Sequence, residues 1–121
     1  MRVDFMGGLG NQMFQYAFGR SLSLARNIPL FFDKGWCDGR PDYLSYSLSA
    51  YALDIRFGGP DGPRYVEQGL PFDKGVFSAP AASMFHGYWQ TEKYFNAEVI
   101  RKELSCPSGE PSDRTKRLAR T

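Results

Sequence analysis

The sequence predicts an α/β fold built on a parallel sheet, and three observations predict it. A short apolar run, Val3-Asp4-Phe5-Met6, leads into a glycine-rich turn, Gly7-Gly8-Leu9-Gly10. Apolar residues then recur at helical spacing as far as Ala25. A second apolar run, Ile28 to Phe32, ends in an acid, Asp33. Strand, helix and strand in that order favour neighbouring parallel strands joined by a right-handed crossover.

The first strand is placed at Val3–Met6 and the helix from Asn11 to about Asn27. Met13, Phe14, Ala17, Phe18, Leu22 and Ala25 form its apolar stripe, and Arg20 and Arg26 fall on the polar side. Gly19 inside a helix costs about 1 kcal/mol against alanine, which close packing on a sheet would explain. Asn27 is suited to cap the helix C-terminus ahead of Pro29. The second strand is Leu30-Phe31-Phe32.

Between Gly35 and Pro80 regular patterning fades. Tyr51 to Phe57 reads as a short strand or extended segment, and residues 58–63, Gly-Gly-Pro-Asp-Gly-Pro, form a run of turn signals. A short helical turn is expected somewhere in 62–71. So much irregular chain is either one wall of a binding cleft or plain surface loop. Residues 83–90 read as a later strand running into a kink at Gly87, and Thr91 is a suitable N-cap for the turn that follows. A further helix is expected from Ala97 to Leu104, with Val99, Ile100 and Leu104 turned inward. Cys106 to Ser112 has the Pro/Ser/Gly composition of a linker.

Composition narrows the function classes. A formal charge of +2 with no basic helical stripe gives no reason to expect a nucleic-acid partner. The basic cluster Arg114 to Arg120 suits either a solvated segment or a peripheral contact with anionic lipid head groups. Cys37 and Cys106 lack any metal-ligand spacing, so no metal is expected, and a reducing, cytoplasmic location fits. No run of residues has transmembrane length. Aromatics make up 16% of the chain, enough to serve both as core and as stacking platforms for sugar rings.

The glycine turn is the strongest chemical signal. Uncovered backbone amides at a helix N-terminus suit a phosphate or diphosphate. Gly8 and Gly10 match the first two glycines of the dinucleotide fingerprint, but Met13 stands where the third belongs, against the usual close packing. An NAD(P)-binding domain, with Asp33 as the ribose contact, is therefore the weaker reading. Asn11 and Gln12 add amide side chains able to address a sugar.

Residues 7–17, Gly-Gly-Leu-Gly-Asn-Gln-Met-Phe-Gln-Tyr-Ala, resemble the opening motif of the family 11 glycosyltransferases, the α-1,2-fucosyltransferases. A second block, residues 87–95, Gly-Tyr-Trp-Gln-Thr-Glu-Lys-Tyr-Phe, resembles that family's Gly-Tyr-Trp-Gln-Ser-Glu-Lys-Tyr-Phe segment. Tyr51-Ala52-Leu53-Asp54 is similar to a Tyr-x-Leu-Asp stretch between the two. The resemblance implies a Rossmann-like N-terminal lobe of a GT-B-type enzyme. That enzyme would move fucose from GDP-fucose to a galactoside in surface-glycan assembly, with inversion and without a metal or other cofactor. The family's His-x-Arg-Arg-Gly-Asp donor motif has no counterpart here. The expectation is an N-terminal fragment, with 1–105 as the lobe and 106–121 as a linker toward a donor lobe, inactive by itself. A glycan-binding module that lost the chemistry is the alternative.

The donor-side candidates are Gly8, Leu9, Gly10, Asn11 and Gln12. Asn11 either contacts the ligand or caps its own helix; Gln12 either contacts it or ties the loop internally. Acceptor-side candidates are Asp33, His86, Trp89, Gln90 and Glu92. His86, the single histidine, is either a base or a hydrogen-bonded strand end. Trp89 stacks on a sugar or fills the core, and Asp33 binds a hydroxyl or caps a turn. Glu92 is either a base or a charge at a helix start.

Overall fold

The computed structural model describes residues 1–69 and 72–104, with Val99 described by its backbone only. The linker expected at 106–121 and the inward placement of Val99 lie outside the described residues. Four three-residue strands form one parallel sheet: β1 (Arg2–Asp4), β2 (Phe31–Asp33), β3 (Arg64–Val66) and β4 (Met84–His86), in the order β2-β1-β4-β3. Helix α1 (Leu9–Arg26) joins β1 to β2, and α2 (Ala97–Leu104) follows β4. This is a small α/β fold compatible with a Rossmann-like domain.

Register explains how the sheet divides its labour. Val3 pairs with Phe32 on one side and Phe85 on the other, and Tyr65 pairs with Phe85. Strand residues alternate between faces, so these four share one face, and Val3, Phe32 and Phe85 are buried. Arg2, Asp4, Asp33, Met84 and His86 take the other face and are half-buried. Gly19 shows why α1 lies so close to the first face. A Cβ there would stand 3.0 Å from Val3 Cγ2 and 3.1 Å from Leu30 Cδ1. The packing role expected of this glycine is the one it has.

Aromatics build the core. Phe18 of α1 stacks on Trp89 with ring centroids 4.3 Å apart, and Phe5 stacks on Phe32 at 4.4 Å. Tyr94 meets Phe18 and Trp89 edge-on. Offset and edge-to-face pairs of this kind add about 0.5–1.5 kcal/mol each beyond area burial. Asn27 closes α1 in the left-handed conformation at φ 54° and donates its backbone N–H to Ser23 O, as a C-cap should. Helix α2 carries Ile100 into the core and is fastened to α1 where Glu103 takes Arg20 Nε and the Tyr16 hydroxyl.

One expectation for the irregular stretch needs correction. Arg64–Val66 form a strand, β3, where a helical turn was expected somewhere in 62–71; three residues are too few for a period-two pattern to stand out. Of the two alternatives for Tyr51 to Phe57, the segment does not form a strand of the sheet. Its last residues run beside the outer edge of β2, where Phe32 N donates to Arg56 O (2.8 Å) and Gly58 N to Phe32 O (3.0 Å).

Candidate functional site

In a parallel sheet all carboxyl ends lie at one edge, and open α/β sheets bind ligands there. Here Asp4, Asp33, Val66 and His86 are the last residues of the four strands. A hollow of about 440 Å³ opens at this edge. A second, of about 220 Å³, lies on the open face of the sheet, reaching from the strand starts to their carboxyl ends. Both are lined by Trp36 and His86. The larger also takes Met6, Glu67, Tyr88 and Gln90 into its wall. The smaller takes Asp4, Asp33, Arg2 and Arg64.

The glycine loop follows β1 at the same edge, but Gly8, Leu9, Gly10, Asn11 and Gln12 line neither hollow. Gly7 has φ +78°, and a Cβ there would fall 2.3 Å from Asn11 Nδ2, so the turn admits only glycine. Gly8 is the N-cap residue of α1 and no side chain caps the helix. Leu9 and Gly10 are exposed. Asn11 is not the cap; it lies within α1, and its Oδ1 accepts from Gln90 Nε2 of the second block.

Gln12 departs from its expected ligand contact. It is fully buried, and its amide is used within the protein. Its Nε2 donates to Ser45 O (2.9 Å) and Gly7 O (3.1 Å), while its Oε1 accepts from Ser47 N (2.8 Å). Burying a primary amide demands such partners, and here they tie the loop to residues 45–47. Gln15, not singled out from sequence, does the corresponding work toward the second block. It accepts from Met6 N (3.0 Å) and donates to Gly87 O (3.1 Å).

Trp89 is likewise core: fully buried and stacked on Phe18, it lines neither hollow, which removes it from the acceptor-side candidates. It holds φ +56°, an uncommon backbone for a bulky residue. Glu67 fixes this turn. Its carboxylate accepts from Tyr88 N (2.9 Å) and from Trp89 N (3.3 Å to each oxygen). Sequence reasoning missed Glu67 because it missed β3, the strand that delivers it.

The remaining candidates separate clearly. Asp33 Oδ1 accepts from Gly35 N at 2.6 Å, the turn-capping alternative, while the residue still lines the smaller hollow. Glu92 is exposed and lines neither hollow, so it does not join the acceptor side. Thr91 caps the 3-10 turn Glu92–Tyr94, accepting from Lys93 N, as expected. His86 and Gln90 both line the larger hollow.

Asp4 is the other residue the sequence did not bring forward. Its Oδ2 lies 2.8 Å from His86 Nδ1. The signal was present in principle, since Asp4 is the polar neighbour of a buried Val3 at a strand end. Behind the cleft, Asp73 accepts the Tyr65 hydroxyl (2.5 Å) and donates its N–H to the Tyr94 hydroxyl (2.8 Å). The Asp73 bond pushes the Tyr65 phenol up to about 12, and the same bond holds the Asp73 carboxyl below its ordinary range. Burial raises Tyr94.

Among the described residues no group of three histidine, cysteine or carboxylate side chains is placed to hold a metal ion. No helix among them is long and apolar enough to cross a membrane. Comparison with protein-family models, curated proteins and solved structures finds no match to this chain.

Proposed function

We propose that this chain forms a Rossmann-like lobe of a GDP-fucose-dependent α-1,2-fucosyltransferase of the family 11 type, with a galactoside as acceptor. One observation carries the reading: the two sequence blocks that resemble that family meet at the carboxyl edge of the sheet. Gln15 bonds the glycine loop to Gly87, and Gln90 reaches Asn11. Blocks some seventy residues apart that share a hydrogen-bond network are built as a unit.

The division of tasks follows from geometry. The uncapped amides at the start of α1 carry partial positive charge and suit the diphosphate of the donor. The hollow under Tyr88 and Gln90 offers an aromatic and an amide to a sugar. In the reaction the acceptor oxygen bonds to the fucosyl anomeric carbon as the bond to the diphosphate breaks. GDP leaves with the electron pair and the configuration inverts. Gln12 and Trp89 support the site from below.

Calorimetric titration with GDP-fucose, GDP and NAD tests the reading, on the chain and on Asn11→Ala. The expected result is binding of the guanosine nucleotides, weakened by the substitution, and none of NAD. Binding of NAD alone would replace the reading with a dinucleotide domain. A folded chain that binds galactosides but neither GDP nor GDP-fucose would point instead to a glycan-binding module.

A further inference from the structure

We propose that His86, held by Asp4, is the proton acceptor for the galactoside hydroxyl that attacks the donor. The inference rests on the acceptor reading above and assigns its base.

Geometry makes the case first. Asp4 Oδ2 at 2.8 Å from Nδ1 favours the tautomer with its proton on Nδ1. That leaves the Nε2 lone pair as the acceptor, and Nε2 has no protein partner among the described residues. A carboxylate behind an imidazole also stabilises the imidazolium formed when the ring takes a proton.

Placement is the second argument. Val3 and Phe85 are register partners on β1 and β4, and Asp4 and His86 each stand one residue further on. Both members of the pair are thus fixed by sheet hydrogen bonds, not by loops, which gives the precision a proton transfer needs. His86 is shared by both hollows, and its side chain is about one-third exposed. The ring is therefore open to a ligand while its partner is fixed.

Elimination supplies the third. Of the other carboxylates at this edge, Glu67 has both oxygens on the Tyr88 and Trp89 amides, and Asp33, with Oδ1 on the Gly35 amide, lines only the smaller hollow and not the one under Tyr88 and Gln90. Arg2 and Arg64 of the smaller hollow are cations and accept no proton. In the step, the acceptor O–H bond breaks, its proton passes to Nε2, and the oxygen's electron pair forms the bond to the fucosyl carbon. GDP carries away the pair from the bond that breaks.

Nitrogen NMR tests this directly, because His86 is the chain's single histidine, so its ring signals need no residue assignment, and couplings to Hδ2 and Hε1 tell Nδ1 from Nε2. The free chain should show the Nδ1–H tautomer, with a well-separated pair of nitrogen signals. Asp4→Asn should collapse that separation. Methyl β-galactoside should shift Nε2 saturably, and the 2-deoxy analogue should bind the cleft without that shift. His86→Gln should weaken methyl β-galactoside binding about three- to tenfold, the worth of one hydrogen bond. Equal Nε2 shifts with both sugars would overturn the assignment. So would sugar-induced changes at Tyr88 and Gln90 that leave the His86 nitrogens unmoved, and in that case the acceptor reading would survive. No change anywhere in the cleft with either sugar would remove both.

Discussion

The two faces of the sheet contrast sharply although the same twelve strand residues make them. On the α1 side Val3, Phe32 and Phe85 are dry and stacked among Phe5, Phe18 and Trp89. One residue along each strand, Asp4, Asp33 and His86 face the open side and line its hollows. A parallel sheet is usually apolar on both faces. Alternation here lets one backbone hold a core and a site together, so stability and chemistry should respond to different substitutions.

The largest effect is expected on the packed side. Trp89→Ala removes the indole that Phe18 stacks on and should cost about 3–5 kcal/mol. A urea denaturation series reads this directly, and a loss below about 1 kcal/mol would show that the dry face does not carry the fold. Gln15→Leu comes next, because it strands the buried Met6 N–H and Gly87 C=O. A loss of about 2–3 kcal/mol is expected. Hydrogen exchange at Met6 should accelerate in that variant, and an unchanged rate would argue that Gln15 does not hold the loop.

Alkali should act on the tyrosines behind the cleft. The fold raises Tyr65 from 10.0 to about 12, through the Asp73 bond, and Tyr46 likewise through burial. A raised phenol stabilises the fold below pH 10, and that contribution drains away between 10 and 12. Tyr65→Phe should flatten part of this loss in a pH series of thermal melts. Asp73 works in the opposite sense. Its lowered carboxyl contributes above the ordinary carboxylate range and loses that contribution as pH falls through it.

Smallest of all should be Asp4→Asn. The pair it breaks is roughly a quarter to a third exposed, and such pairs contribute about 0–1 kcal/mol. A loss near 3 kcal/mol would sharpen the comparison in an unexpected direction, making the open face part of the structural core.

Legibility from sequence followed the length of each pattern. Helix α1 gave Ala17, Phe18 and Leu22 of its stripe, its interior Gly19 and its Asn27 cap over eighteen residues, long enough for period and capping chemistry to agree, while Ala25 of the expected stripe is exposed. Helix α2 was read to its ends, Ala97 and Leu104. The three-residue strand β3 gave no such signal, and Glu67 was lost with it. The glycine turn ahead of α1 was legible because a turn before a helix has local rules. For Gln12 and Trp89 the sequence left ligand contact and an internal role both open, because residue type says what a group can bind, not whether it faces inward.

The sequence by itself determined the strand–helix–strand unit, the glycine turn and the aromatic stock of the core. These depend on interactions between near neighbours, whose geometry backbone periodicity already sets. Tertiary structure alone decided that Gln15 would meet Gly87, that Gln90 would reach Asn11, and that Asp4 would find His86 eighty-two residues away. Alternation tells which face of a strand a side chain takes. Only strand order and register tell which side chain stands beside it, and those are fixed by the whole chain closing on its core.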